Sequence, residues 1–329
     1  MAAEILARWG YDVKCVFIKL CRYRGGVDRE ITAAKKVAKS LGLPLQIIDK
    51  SQEFKKLIVD HYNQEIKNGR TPSPCVFCNP KVKIKALLEI ADTESAYFVA
   101  TGHYARIEKS SDGHYLLRKA KDKSKDQTYS LCFIKGMQLR RMIFPLGNLT
   151  KKEVIKLALK SKKLGFAAKS KQSQDFCYLG GVSQLDYLRS LVPCKVGRLL
   201  DNNNKCIGCH QGAYLFTIGQ RKGIGLPGGP YFVRAKDVKK NEVYITNNKE
   251  DLKSKQVKLQ PVNLINSLDK NSLSVTAKIR SNQPEFAARL DCQGGSLVLK
   301  FSTAQLAVTP GQVAVFYQKD ICLGGGVIN

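Results

Sequence analysis

Two cysteines, Cys78 and Cys177, stand in sequence settings that favour thiol chemistry. Cys78 lies in the segment 69–79, where Pro72 and Pro74 fix φ and predict a stiff, extended loop. An amphipathic helix is predicted directly after it, over residues 82–91. Because a helix N-terminus carries partial positive charge, we expect it to lower the pKa of the nearby thiol. A pair of small, inert, buried cysteines is the alternative interpretation of the same residues.

The elements that must position these cysteines change in kind along the chain. The first part alternates helical and strand patterns, which predicts a parallel sheet wrapped by helices, an α/β fold of the doubly wound type. Its predicted helices are 2–9, 31–41 and 82–91, and its predicted strands are 13–20, 45–48 and 97–100. Dense turn signals then separate short β-like runs, and the last part contains only the short alternating segments of a small β-barrel. We therefore expect three domains, over residues 1–183, 184–253 and 254–329.

Composition and charge limit the classes of partner. Lys and Arg number 55 against 27 Asp and Glu, a net charge of +28 that favours a polyanionic partner such as nucleic acid. A solvated, lysine-rich surface without such a partner is the alternative. No stretch approaches the ~20 apolar residues of a membrane helix, and no signal peptide precedes the first helix. We expect a cytoplasmic protein with no membrane contact, whose 11 cysteines are mostly reduced thiols.

The cysteine segments belong to a longer series of motifs that runs from residue 2 to residue 329. The series consists of the segments 69–79, 100–106, 125–129, 144–147, 173–180, 217–223, 309–312 and 322–326. In this order and over this length, the chain resembles the tRNA-uridine 2-sulfurtransferases, also called tRNA 2-thiouridylases. The resemblance implies an ATP-pyrophosphatase-like catalytic domain at 1–183, a central tRNA-binding domain at 184–253 and a C-terminal β-barrel at 254–329. It also implies ATP-dependent 2-thiolation of the wobble uridine of tRNA by a monomer that receives sulfur from a persulfide donor protein.

The resemblance assigns different roles to the two cysteines. Adenylation of the uridine C2 oxygen by ATP makes that oxygen a leaving group, and a cysteine persulfide supplies a strong sulfur nucleophile. Cys177 resembles the residue that receives the persulfide. Cys78 resembles its partner thiol, which closes a transient Cys78–Cys177 disulfide as sulfur leaves.

Cys75 leaves a second mechanism open. It forms a C-x-x-C pair with Cys78, and the residue at this position is often an aspartate in the family. Thiolates of Cys75, Cys78 and Cys177 could hold a [4Fe–4S] cluster with one iron left open for sulfide. Persulfide relay and this cluster are therefore competing interpretations.

The remaining site residues are also carried over by resemblance. Gly102, where the lack of a side chain lets a nucleotide approach the backbone, and Ile18 resemble ATP contacts. Ser73, Pro74 and Cys75 resemble the residues that line the pocket for the flipped uridine. The further residues that resemble tRNA contacts are His103, Lys125, Asp126, Gln127, Arg280, Ser281 and Gln312.

One feature of the family is absent from residues 1–329. Its members open with a strand and Ser-Gly-Gly-Val-Asp-Ser, the phosphate loop that binds ATP, whereas this sequence opens on what resembles the helix after that loop. We expect this chain to be N-terminally incomplete, and a tRNA-binding remnant without ATP use is the alternative. The segment 24–29, Arg-Gly-Gly-Val-Asp-Arg, imitates the loop but carries arginines in place of both serines. A second decoy, Cys-Ile-Gly-Cys-His at 206–210, imitates a haem or zinc motif, and we expect an ordinary β-turn there.

Overall fold

The computed structural model describes residues 1–167, 176–267, 272–293 and 296–329. In its first part, strands and helices alternate as the sequence predicts. The helices are α1 (Ala2–Arg8), α2 (Asp28–Leu41), α3 (Ser51–Phe54), α4 (Asp60–Lys67), α5 (Pro74–Cys78), α6 (Lys85–Thr93), α7 (Thr128–Leu131), α8 (Gly136–Leu139), α9 (Lys151–Lys160) and α10 (Gln184–Leu191). The strands are β1 (Cys15–Lys19), β2 (Leu45–Asp49), β3 (Val99–Ala100), β4 (Ala105–Lys109), β5 (Tyr115–Lys119) and β6 (Met142–Ile143).

Four strands of the first part, β1, β2, β3 and β6, pair in parallel, as expected for an α/β fold. β1 pairs with β2, with Cys15 opposite Leu45, and β3 pairs with β6, with Val99 opposite Met142. Within the described residues these four strands form two separate two-stranded ladders. The α/β class is confirmed, although the pattern of the sequence predicted one continuous sheet.

The middle of the chain forms a four-stranded sheet. Its strands are β7 (Gly197–Leu200), β8 (Cys206–His210), β9 (Phe232–Asp237) and β10 (Glu242–Thr246), in the order β8-β7-β10-β9. Leu199, Val233 and Val243 are fully buried and form the centre of its core. The short β-like runs predicted here are therefore one packed sheet.

The last part is a closed barrel, which confirms the prediction of a small β-barrel. Its strands are β11 (Lys253–Leu264), β12 (Ser272–Lys278), β13 (Phe286–Gln293), β14 (Ser296–Leu306), β15 (Val313–Gln318) and β16 (Ile321–Ile328). The barrel closes because β11 pairs with both β14 and β16. Close approach of β11 and β16 requires glycine at 324, since a Cβ there would collide with the carbonyl oxygen of Asn263.

A hairpin of the first part, β4–β5, continues the barrel sheet. β5 pairs with β16, where Leu117 lies opposite Cys322. Asp320 reinforces this junction by pairing with Arg106 at 2.8 Å and with Arg118 at 2.6 Å. The alternating pattern of the sequence did not predict this pairing. It fixes the barrel directly beside the loops of the first part.

Candidate active site

Cys78 lies inside a helix rather than after an extended loop. Pro74 is the first residue of α5 and Ser73 is its N-cap, and π-type turns at Asn79–Ile84 join α5 to α6. The prediction of an extended loop was wrong because proline is well tolerated at the first helical position, where its missing N–H would be unpaired in any case. Cys75 and Cys78 therefore lie one helical turn apart on the same face.

The environment of Cys78 is apolar, and this reverses the expected pKa shift. The side chain is only 3% exposed. Burial raises the pKa of Cys78 to about 12, opposed by Lys83 and reinforced by Cys177 and Cys75. The predicted lowering was wrong because the loss of solvent outweighs the partial charge of the helix N-terminus. Cys75, by contrast, is exposed.

Cys177 begins the short 3₁₀ turn Cys177–Leu179, and its two neighbours anchor it in aromatic packing. The Phe176 ring lies 5.2 Å from that of Tyr62, and the Tyr178 ring lies 5.6 Å from that of Tyr187. The Arg22 guanidinium donates a hydrogen bond to the carbonyl oxygen of Cys177. These contacts hold Cys177 half-buried at the edge of the cluster. Residues 173–175 of the predicted segment 173–180 lie outside the described residues.

The structure brings the two predicted catalytic cysteines together. Cys78 belongs to the main apolar cluster of the first part, and Cys177 packs against the same cluster. A negative charge on Cys177 raises the pKa of Cys78, which also reflects their closeness. Lys83, half-buried on the π-type turns of the same helix, supplies positive charge to this group of thiols.

The three thiols do not form a metal site in this arrangement. Among the described residues, no group of three or more His, Cys, Asp or Glu side chains is placed to hold a metal ion. Cys75, Cys78 and Cys177 all lie in the described ranges, and they are not such a group. This geometry does not fit the [4Fe–4S] alternative.

Gly102 and His103 follow β3, at its carboxyl end. Gly102 is exposed, and a Cβ there would meet only the Leu146 side chain at 3.7 Å, so its outer side is open to a ligand. His103 Nδ1 lies 2.8 Å from Thr101 Oγ1. Burial, helped by Lys83, lowers the pKa of His103 to about 4, which keeps the imidazole neutral near pH 7. Ile18, on β1, packs partly buried against the main apolar cluster.

The barrel holds the loop that leads into Cys75. Gln312 Nε2 donates to the Thr71 carbonyl oxygen at 2.8 Å, and Ser73 Oγ donates to Gln312 Oε1 at 3.3 Å. Thr71 N–H donates to the Pro310 carbonyl oxygen at 2.9 Å. The predicted base pocket, Ser73 to Cys75, and the predicted barrel contact Gln312 therefore lie side by side.

Arg280 is tied to backbone and hydroxyl acceptors of two parts of the chain. Its Nη2 donates to the carbonyl oxygens of Ile218 and Ala307, each at 3.0 Å, and to Thr309 Oγ1 at 2.9 Å. Ile218 precedes β9 and the two other acceptors lie in the barrel region, so Arg280 joins these parts. Ser281, the next residue, is exposed.

The segment 125–127 lies at a basic cleft between the β4–β5 hairpin and the barrel. Asp126 accepts hydrogen bonds from Ala120 N–H at 2.9 Å and from Thr128 Oγ1 at 2.6 Å, and Gln127 Oε1 accepts from Tyr104 N–H at 2.8 Å. The cleft has a volume of about 790 Å³ and includes Asp126 in its wall. Its basic residues are Arg106, Lys119, Lys121, Lys123, Lys278 and Lys319.

The Cys-Ile-Gly-Cys-His motif at 206–210 forms strand β8 rather than the expected turn. Ile207 is an extra residue in the pairing of β8 with β7, a β-bulge that reverses the alternation of side chains. Cys206 and Cys209 therefore lie exposed on one face, while His210 is buried on the other, 5.2 Å from the Phe216 ring. Strand alternation places His210 on the face opposite Cys209, and among the described residues these three side chains do not form a group that could hold a metal ion.

Three features of the site had no clear signal in the sequence. They are the Arg22 contact to Cys177, the aromatic packing around Phe176 and Tyr178, and the position of Lys83 near the thiols. Each depends on residues that are far apart in the chain or on a helix register that begins at Pro74. Only the aromatic content of 176–178 could have indicated an anchored segment.

Three family models match the chain in succession. A tRNA methyl transferase HUP domain matches residues 1–181, a tRNA methyl transferase PRC-barrel domain matches 185–247, and an aminomethyltransferase β-barrel domain matches 254–328. The fold described above is of this class, an α/β domain followed by two β-rich units. Among the described residues, none of the helices has the length and apolar character needed to traverse a membrane.

Curated relatives extend the match to the whole chain. The tRNA-specific 2-thiouridylase of Streptococcus mutans is 35% identical over 100% of this chain and 91% of its own length. Those of Hahella chejuensis and Streptococcus sanguinis are 35% and 34% identical, over 100% of this chain and 93% and 91% of their lengths. The chain belongs to the tRNA-specific 2-thiouridylase family.

Proposed function

We propose that this chain is a tRNA-uridine 2-sulfurtransferase that uses ATP to replace the C2 oxygen of the wobble uridine with sulfur. The observation that carries the proposal is the meeting of Cys78 and Cys177 at one apolar cluster, beside a loop that Gln312 holds. A thiol pair next to a loop that the barrel holds in place suits chemistry on a base that has left its stack. Family membership supplies the substrate class.

The reaction runs through sulfur bonds at Cys177. ATP supplies the adenylyl group on the uridine C2 oxygen, so that AMP can depart. The terminal sulfur of a Cys177 persulfide attacks C2, a carbon–sulfur bond forms, and the carbon–oxygen bond to AMP breaks. The Cys78 thiolate then attacks Cys177 Sγ, the bond between Cys177 and the transferred sulfur breaks, and 2-thiouridine leaves. A Cys78–Cys177 disulfide remains, which a thiol reductant reopens.

The environment of Cys78 suits a thiol that acts late in this sequence. With a pKa raised to about 12, Cys78 stays protonated in the resting protein and does not consume the incoming persulfide. Once the terminal sulfur is bound to the base, the sulfurs at Cys177 bear no negative charge, so Cys177 does not raise the pKa of Cys78 at this stage. Lys83 then favours the thiolate of Cys78.

The binding roles follow the positions of the other residues. Ile18 and the open side of Gly102 would contact ATP, and Ser73, Pro74 and Cys75 would line the uridine pocket. Neutral His103 would act as a hydrogen-bonding group toward RNA, not as a cation. The remaining RNA contacts in this proposal are Lys125, Asp126, Gln127, Arg280, Ser281 and Gln312.

The sulfur is supplied by a persulfide-carrying donor protein in this proposal. Half-buried Cys177 lies at the edge of its cluster, where a donor persulfide can reach it. The cytoplasmic location and the monomeric state stay predictions.

The proposal is tested by nucleoside mass spectrometry on a tRNA transcript incubated with protein, ATP, Mg²⁺ and a persulfide donor. Formation of 2-thiouridine is expected for the wild type and for Cys194→Ala, which changes an exposed cysteine outside the site. Cys177→Ala and Cys78→Ala are each expected to abolish the product while tRNA affinity stays nearly unchanged. A normal yield of 2-thiouridine from Cys177→Ala would refute the proposal.

A second candidate is a protein that binds tRNA without thiolating it. The segment 24–29 favours it, because this imitation of the phosphate loop carries arginines in place of both serines and offers no hydroxyls to the phosphates of ATP. Tight tRNA binding together with neither ATP binding nor 2-thiouridine would support this candidate. ATP-dependent product would exclude it.

A further inference from the structure

A third thiol, Cys21, lies beside Cys177. It lies two residues after the end of β1. The two residues that follow it, Arg22 and Tyr23, form hydrogen bonds to Cys177 and Tyr178. Arg22 donates to the carbonyl oxygen of Cys177, and Tyr23 N–H donates to the carbonyl oxygen of Tyr178 at 2.7 Å. The two short segments therefore run side by side, and both cysteines pack against the same apolar cluster.

The surroundings of Cys21 differ from those of Cys78. Cys21 is half-buried, as is Cys177, whereas Cys78 is buried. Burial raises the pKa of Cys21, Lys55 opposes that shift, and a negative charge on Cys177 adds to it. A charge on Cys177 is thus close enough to act on Cys21, and both thiols are partly open to reagents.

We propose that Cys21 is a second partner thiol for Cys177, which closes a Cys21–Cys177 disulfide when Cys177 carries a persulfide and no RNA occupies the site. This inference rests on the proposed function, because it requires sulfur on Cys177. It goes beyond that function because it assigns a competing reaction to Cys21, in which the sulfur is released without reaching the tRNA.

The step balances without any further oxidant. The Cys21 thiolate attacks Cys177 Sγ, the bond between Cys177 Sγ and the terminal sulfur breaks, and that sulfur leaves as hydrosulfide. The persulfide supplies the oxidising equivalents, so one hydrosulfide is released for each disulfide formed. The disulfide keeps Cys177 from irreversible oxidation until a thiol reductant reopens it.

Tryptic peptides of the full chain separate the two possible disulfides. Cys21 falls in peptide 20–22, Cys177 in 172–189, and Cys75 and Cys78 together in 71–81. Reduced protein is treated with sodium polysulfide, free thiols are then blocked, and the unreduced digest is examined by mass spectrometry. Hydrosulfide release is measured in parallel for the wild type, Cys21→Ser and the control Cys15→Ser. Cys15 is also half-buried but lies at the far end of β1.

The expected result is a linked pair of peptides 20–22 and 172–189 in the wild type and in Cys15→Ser. In Cys21→Ser this pair is absent, hydrosulfide release falls, and peptide 172–189 keeps the mass of one added sulfur for longer. In Cys78→Ser the linked peptides 20–22 and 172–189 are still found, which shows that this disulfide forms independently of the productive Cys78–Cys177 disulfide. If Cys21→Ser fails to fold, the disulfide-linked peptides of the wild type and of Cys78→Ser are sufficient to test the inference.

Two different failures can be told apart. If peptide 172–189 gains sulfur but never links to 20–22, this inference is overturned and the proposed function stands. If peptide 172–189 never gains sulfur, the proposed function fails and the inference falls with it.

Discussion

Ser73 and Gln312 are 239 positions apart in sequence, yet Ser73 Oγ donates a hydrogen bond to Gln312 Oε1 at 3.3 Å. The amide of Gln312 also donates to the carbonyl oxygen of Thr71 at 2.8 Å. One side chain of the barrel thus holds both ends of the short segment that caps the helix of Cys75 and Cys78. The barrel is therefore part of the candidate active site and not an independent module.

Replacement of Gln312 by alanine tests this connection. Loss of the two hydrogen bonds removes ~1 kcal/mol of stabilisation each from the segment 71–73. We expect the KM for tRNA to rise about tenfold with a smaller change in kcat, since positioning rather than sulfur chemistry is affected. Steady-state thiolation kinetics measure this, with Gln52→Ala, a change at an exposed position of α3, as the control. Unchanged kinetics in Gln312→Ala would show that the clamp has no part in catalysis.

Lys83 is predicted to control the ionisation of Cys78. Burial holds the pKa of Cys78 at about 12 despite the opposing charge of Lys83. In Lys83→Gln the pKa should rise further, so alkylation of Cys78 by iodoacetamide should become slower at every pH below that value. The rate is followed as a function of pH by mass spectrometry of tryptic peptide 71–81, with fragmentation that separates label on Cys78 from label on Cys75. The control Lys81→Gln lacks the cleavage site at residue 81, so its peptide is 71–83. Lys81→Gln, on the exposed side of the same helix, should leave the profile unchanged, and an equal effect of both variants would contradict the assignment.

His103 is predicted to make the protein sensitive to acid. Its pKa is about 4 in the folded protein and near 6.5 in the unfolded chain, so the unfolded chain binds a proton more readily between these values. The resulting stabilisation is fully present above pH 6.5 and is lost as the pH falls toward 4, with an upper value of ~3 kcal/mol. His103→Gln should lose less stability than the wild type between pH 7 and 4.5.

Urea unfolding at the two pH values measures the acid sensitivity. Exposed His114→Gln is the matched control and should behave as the wild type does. An identical pH dependence in His103→Gln and the wild type would mean that His103 is not buried in its neutral form.

Lys125 and Arg280 are expected to differ in what they contribute to RNA binding. Half-buried Lys125 precedes Asp126, which lines the basic cleft. Lys125→Ala should reduce the log–log salt slope of tRNA affinity by ~1 if Lys125 meets one phosphate. Exposed Lys39→Ala on α2 serves as its control. Nη2 of Arg280 already donates to three protein acceptors, so Arg280→Ala should instead lower the free energy of unfolding.

Filter binding over a range of salt concentrations and urea unfolding separate the two effects. A salt-insensitive affinity of the wild type would contradict the interpretation of the +28 charge. A normal unfolding free energy in Arg280→Ala would contradict the structural role of that residue.

Local patterns of the sequence determined the classes of structure. Helical periodicity over 31–41 with glycine after it corresponds to α2 (Asp28–Leu41), which ends at Gly42 with φ of 72°. The alternating segment predicted over residues 312–317 corresponds to strand β15 (Val313–Gln318). Such predictions succeed because period and turn chemistry act over a few residues. The motifs around Cys78 and Cys177 likewise identified the family without any coordinates.

Tertiary structure alone decided how those residues behave. Pro74 begins a helix. Burial raises the pKa of the Cys78 thiol. The β4–β5 hairpin pairs with the barrel at β16. Cys21 acquires its place beside Cys177 only through contacts between segments 155 residues apart. Burial, charge and proximity are sums over neighbours that folding brings from distant parts of the chain, so no local window of the sequence contains them.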